Sequence, residues 1–177
     1  MNENGSRPLR LLAVLAHPDD ESLGVGGTLA KYAAEGIDVF LLTATRGDAG
    51  RFRGHRPGAP GHPGAEALGA IREAELRAAA TVLGVREVAL LDYGDSLLDR
   101  AHPREIVAAI ASHLRHVRPD VVVTFGPDGA YGHPDHVAIS QSTTAAIVAA
   151  ADPAFAHDGV GAAGSPHSPR RRPSRSH

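Results

Sequence analysis

The chain reads as an α/β domain, a mostly parallel sheet with helices on both faces. Four short apolar runs rich in Val, Leu and Ile alternate with four alanine-rich amphipathic stretches. The runs stay apolar on consecutive residues, as strands buried on both faces do. Glycines stand where two of the helical stretches should stop.

Residues 9–16 form the first expected strand and residues 23–35 the first helix, closed by Gly36. Residues 37–45 are the second strand, and a Gly/Pro-rich loop over 46–64 leads to a helix over 65–83, closed by Gly84. A third strand over 87–91 precedes a helix over 103–117 with Pro103 in its first turn, where the missing N–H costs nothing. A fourth strand over 120–125 is followed by a helix over 136–150. Strand-helix alternation with right-handed crossovers gives a Rossmann-like sheet. In the common order 3-2-1-4, strands one and four are neighbours at the switch point, so whatever follows them faces one crevice.

The 177 residues fit one domain, residues 1–157, followed by a Gly, Ser, Pro, His and Arg tail over 158–177 that lacks periodicity and reads as disordered. The chain contains no cysteine, which excludes disulfides and thiolate chemistry and leaves His, Asp and Glu to hold any metal. The net charge is −2, and four of the arginines lie in the tail, so no nucleic-acid partner is implied. The first apolar run is too short for a signal peptide and no later run reaches membrane-spanning length, so the chain reads as cytoplasmic. Its oligomeric state is not encoded in any pattern of this kind.

Four His-Pro pairs begin at His17, His62, His102 and His133, and comparing them isolates the chemistry. Only two are followed by Asp: "HPDDE" after the first strand and "GPDGAYGHPDH" after the fourth, the two strand ends that share the crevice. Helix capping explains carboxylates in a first turn. It has no use for the histidines. Two histidines and one carboxylate on short turns make a three-ligand site with an open position, as catalytic zinc requires, and the same set suits ferrous iron. A further carboxylate beside such a site is a natural general base. His113 and His116, one turn apart near a helix end, read as cations favoured by the helix dipole. "GVGG" at 24–27 fails as a dinucleotide fingerprint because it lies within a helix, and reads as permitting close helix-to-sheet packing.

"AHPDDE", "TATRGDAG", "IREAE" and "YGHPDH", in this order, resemble the PIG-L/LmbE family of zinc-dependent N-acetylglucosaminyl deacetylases over about residues 9–156. The resemblance implies a metal-dependent hydrolase that removes acetyl from an N-acetylglucosamine-containing small molecule or glycoconjugate. It implies His17, Asp20 and His136 as zinc ligands and Asp19 as general base. His133 matches a residue that steadies the oxyanion or protonates the departing amine, Tyr131 one that polarises the acetyl carbonyl, and Arg72 and Asp95 match sugar-contacting positions. For the last two, the alternative is an ordinary exposed charge.

Two features depart from that pattern. Asp48 stands where the family often has a longer Glu in the loop after the second strand. Family members also continue past the last helix with further strands that wall the pocket, so the carboxyl-terminal part of the family fold is expected to be missing here. The competing reading is a noncatalytic member that retains only metal or sugar binding.

Overall fold

A computed structural model describes residues 7–155 of the chain. The expected tail over 158–177 and the last residues of the expected 1–157 domain lie outside them. The elements run β1 (Arg10–Leu15), α1 (Asp20–Leu23), α2 (Gly26–Ala34), β2 (Asp38–Thr45), α3 (Ala65–Val82) and β3 (Glu87–Tyr93). A 3-10 turn (Leu98–Arg100), α4 (Pro103–Val117), β4 (Val121–Val123), α5 (Gly129–Gly132) and α6 (Pro134–Ala151) follow.

The four strands form one parallel sheet in the order β3-β2-β1-β4. β1 lies at the centre, with Leu11 opposite both Val39 of β2 and Val121 of β4. Alternation along β1 and β2 feeds two cores. Leu12, Val14, Phe40 and Leu42 meet Ile106, Ile110 and Leu114 of α4 and Ile139 of α6. Leu11, Ala13, Leu15, Val39 and Leu41 meet Leu29 of α2 and Leu76 of α3 on the other face. Burial on both faces is why these strands read as unbroken apolar runs.

The helix expected over 23–35 begins at Gly26, and a separate short helix, α1, precedes it over Asp20–Leu23. The Gly24 N–H closes α1 on the Asp20 carbonyl, and a Cβ at Gly24 would stand 2.9 Å from that oxygen. Gly26 then opens α2 close to the Glu21 carbonyl and the Leu83 side chain. Its smallness therefore serves contact between helical segments, not the helix-to-sheet contact expected of "GVGG". The break lets the residues after β1 turn twice within a short span. β4 keeps only three ladder residues, because the chain beyond Val123 leaves the sheet toward the site.

Candidate active site

All four strands deliver residues to the carboxyl edge of the sheet. At the end of β1, Thr45 fixes the chain by donating both its N–H, at 2.9 Å, and its hydroxyl, at 3.0 Å, to the Ala16 carbonyl. His17 follows. The His17 N–H donates to Asp20 Oδ2 at 2.8 Å, so the backbone that presents the imidazole also orients the carboxylate. From the other side of the crevice, α6 contributes His136, whose ring stacks on Phe125 at 3.9 Å between centroids. Ser140 ties that stack down by donating to the Phe125 carbonyl at 2.7 Å.

The ring nitrogens divide their work. His136 Nδ1 lies 3.3 Å from the Gly129 carbonyl, an acceptor, which places the ring proton on Nδ1 and leaves a lone pair on Nε2. His17 Nε2 lies 3.1 Å from Asp135 Oδ2 and 3.3 Å from Asp95 Oδ1, which leaves Nδ1 for the crevice. The freed atoms converge. His17 Nδ1 and His136 Nε2 are 3.3 Å apart, His136 Nε2 and Asp20 Oδ1 3.4 Å, and His17 Nδ1 and Asp20 Oδ2 3.6 Å. Zinc ligands at their usual bond lengths and a tetrahedral angle stand about 3.4 Å apart. The donor set fits a divalent metal in type and in spacing.

Charge at the site follows the same contacts. Burial disfavours a cation at His17, but Asp20, Asp95 and Asp135 outweigh it and raise the imidazole to about 10 in the metal-free protein. Asp20 is held below the usual carboxylate range because its bonds to His17 overcome burial. His136 is lowered, chiefly by burial. Asp19 is raised by burial against the pull of the Arg72 guanidinium.

Asp19 does not cap α1. Its side chain makes no capping hydrogen bond, and its φ of 114° lies in the left-handed region that favours glycine. Its carboxylate turns to Arg72, with Oδ2 2.7 Å from Nη2. His133 opens α6 by accepting the Asp135 N–H on Nδ1 at 3.2 Å, so its neutral ring carries the proton on Nε2. Its ring centroid stands 4.9 Å from His17 and 4.7 Å from His136. Tyr131 is 76% exposed on a tight turn beside them, its ring 5.2 Å from His136. Gly129 makes that turn: it has φ +64°, and a Cβ there would stand 2.8 Å from Val137 Cγ2.

Neither Arg72 nor Asp95 is an ordinary exposed charge. Arg72 also donates to the carbonyls of Pro18 and Gly47 and so braces the ends of β1 and β2 against α3. Asp95 accepts the Ala49 N–H at 2.9 Å on the oxygen facing away from His17. A cavity of about 680 Å³ opens beside Asp19 and Arg72, lined also by Arg51, Phe52, Arg53 and Ile71. His113 differs from the expected cation: burial lowers it, and its Nε2 has no hydrogen-bond partner among the described residues.

Two residues of the quoted motifs carry contacts that the sequence reading did not assign. Asp135 is fully buried and accepts from His17 Nε2, from the Ser96 N–H at 2.7 Å and from the Leu98 N–H at 3.1 Å. Glu21 is 1% exposed and accepts the Asp19 N–H at 2.9 Å. An acid in a helical first turn reads equally well as a cap, so spacing alone held no signal for either role.

The family profile of PIG-L, described as GlcNAc-PI de-N-acetylase, matches residues 12–147. The chain belongs to this family. It is 42% identical over 166 residues to a 1D-myo-inositol 2-acetamido-2-deoxy-alpha-D-glucopyranoside deacetylase of Rhodococcus erythropolis, covering 85% of this chain and 56% of that one. The deacetylase of the same name from Rhodococcus jostii is 45% identical over 157 residues, covering 80% and 54%. Among solved structures, the N,N'-diacetylchitobiose deacetylase of Pyrococcus horikoshii superposes with a TM-score of 0.70 at 29% identity, over 82% of this chain and 52% of that one. The chain thus spans about half the length of these relatives. No helix among the described residues is long and apolar enough to cross a membrane.

Proposed function

We propose that the chain carries the catalytic centre of a zinc-dependent N-deacetylase acting on a small N-acetylglucosamine conjugate. The observation that carries this is the convergence of His17 Nδ1, Asp20 and His136 Nε2 at near-tetrahedral spacing, with each imidazole's other nitrogen facing an acceptor. The relatives' deacetylase activity on N-acetylglucosamine compounds agrees with it. Those three residues would hold a zinc ion, which would supply Lewis acidity for the acetyl carbonyl and for water.

Asp19, raised by burial, accepts a proton from the attacking water, and Arg72 keeps its carboxylate in place. His133 presents its Nε2–H to the oxyanion or to the departing nitrogen, and the Tyr131 hydroxyl is a second donor from the mouth. The cavity beside Asp19 is of a size that takes a sugar conjugate. Arg72 serves it through Asp19 and the loop ends, and Asp95 through His17. The chemistry is compatible with a cytoplasmic enzyme on soluble small molecules.

The direct test joins metal analysis to an amine-release assay over a panel of N-acetylglucosaminides. Wild-type chain binds one zinc and releases amine, and alanine at His17, Asp20 or His136 abolishes both. Zinc retained at full stoichiometry by the triple-alanine protein would overturn the ligand assignment. Zinc bound with no amine released from any conjugate would favour the noncatalytic reading.

A further inference from the structure

Glu21, the third acid of "HPDDE", is the most enclosed carboxylate of that motif, and among the described residues it forms no ion pair. Burying a carboxylate is expensive unless its oxygens are satisfied. Both are: Oε2 accepts the Asp19 N–H at 2.9 Å and Oε1 accepts the Ser22 hydroxyl at 2.6 Å. The first bond falls on a residue whose backbone is left-handed at φ 114° with no glycine to make that comfortable. The Asp19 carbonyl is held at the same time by the N–H groups of Ser22 and Leu23, at 3.0 and 2.9 Å. Strained backbone of this kind persists only where surrounding contacts over-determine it.

We infer that Glu21 is a positioning residue, whose buried carboxylate clamps the Asp19 peptide in the left-handed turn that aims the Asp19 carboxylate into the active site. It rests on the reading of Asp19 as general base. Relaxing the turn swings Asp19 away from Arg72 and from the water it serves, while His17, Asp20 and His136 keep their own supports. Glu21 touches neither substrate nor metal.

The test uses Glu21→Ala and Glu21→Gln in the full chain, each alone and with Asp19→Asn. Glu21→Ala should lower kcat by roughly 10²-fold with zinc content and KM retained, the order of loss for a misplaced catalytic group. Glu21→Gln, which keeps one acceptor oxygen, should recover most of that loss. Because Glu21 acts through Asp19, Glu21→Ala should cost almost nothing further in the Asp19→Asn background. Hydrogen exchange supplies an arm that needs no substrate: the Asp19 amide should exchange faster in Glu21→Ala while the amides of β1 stay protected. An equal loss in both backgrounds, a loss confined to KM, or departure of zinc from Glu21→Gln would overturn the inference. So would an Asp19 amide as protected in Glu21→Ala as in wild type. If wild type releases no amine, the reading of the site falls, and the exchange arm still decides whether Glu21 clamps the turn.

Discussion

At His17 the two nitrogens of one ring serve different masters, Asp135 and Asp95 beneath and the site's donors above. The motif spacing made the ligand trio legible because His, Asp and His on two short turns are the residue types a metal needs. It could not disclose Asp135 or Glu21, since both sit where a capping acid would sit, and only burial distinguishes an acceptor that orients a ligand from one that meets solvent. Asp19 is the residue whose function separates most cleanly from the metal. Its carboxylate pairs with Arg72 and is absent from the converging donor set. Asp19→Asn should therefore keep zinc and lose turnover by about 10² to 10⁴-fold, the range for a lost general base, as read by metal analysis and single-substrate kinetics. Turnover unchanged in the zinc-loaded variant would remove Asp19 from that role.

Among the elements, the succession of strands and helices along the chain followed from pattern, because a parallel sheet covered on both faces demands apolar runs and amphipathic crossovers, and the order in the sheet is the common one of this fold class. Two details did not. The break at Gly24 falls in a stretch with no proline to mark it, and only the approach of the Asp20 carbonyl shows where the first helical turn stops. The short β4 ends early because Thr124 and Phe125, apolar enough to read as strand, instead lead into the turn that supports His136. The α6 helix that carries His136 is finished from outside: Arg115 of α4 donates to the carbonyls of Ala149, Ala150 and Asp152 at 3.0, 3.2 and 2.8 Å. The carbonyls of Ala149 and Asp152 also accept backbone N–H groups, from Asp152 at 3.3 Å and Phe155 at 3.1 Å, so Arg115 adds a second donor to each at a helix end where intrahelical donors run out. Arg115→Ala should lower folding stability by about 1 kcal/mol, measured by urea unfolding, because the freed carbonyls are solvent-accessible and water replaces part of the loss. Zinc content should not change, since the anchored end of α6 is opposite the one that carries His136.

For the molecule as a whole, the proposed metal bridges distant parts of the chain. His17 and Asp20 follow β1, while His136 lies on α6, beyond the other three strands in sequence, and the three meet only when the sheet and both cores are formed. A ligand that binds the folded state alone stabilises it by about 2.7 kcal/mol at a hundredfold excess over Kd. Chelation should accordingly lower the thermal midpoint of wild type and leave His136→Ala unmoved. The size of that drop depends on pH through His17. In the metal-free protein its value is raised from 6.5 to about 10, so its charged contacts contribute fully below about 6.5 and are lost as pH rises through about 10. Zinc must displace that proton to reach Nδ1, so binding tightens as pH rises while the metal-free protein weakens. The two are one proton linkage seen from either side, and the zinc-dependent gain in thermal midpoint should grow between pH 7 and pH 9, with about one proton released per zinc in unbuffered titration. A gain that shrinks over this range, or zinc uptake without proton release, would show that the Asp20, Asp95 and Asp135 carboxylates do not hold His17 protonated in the metal-free fold.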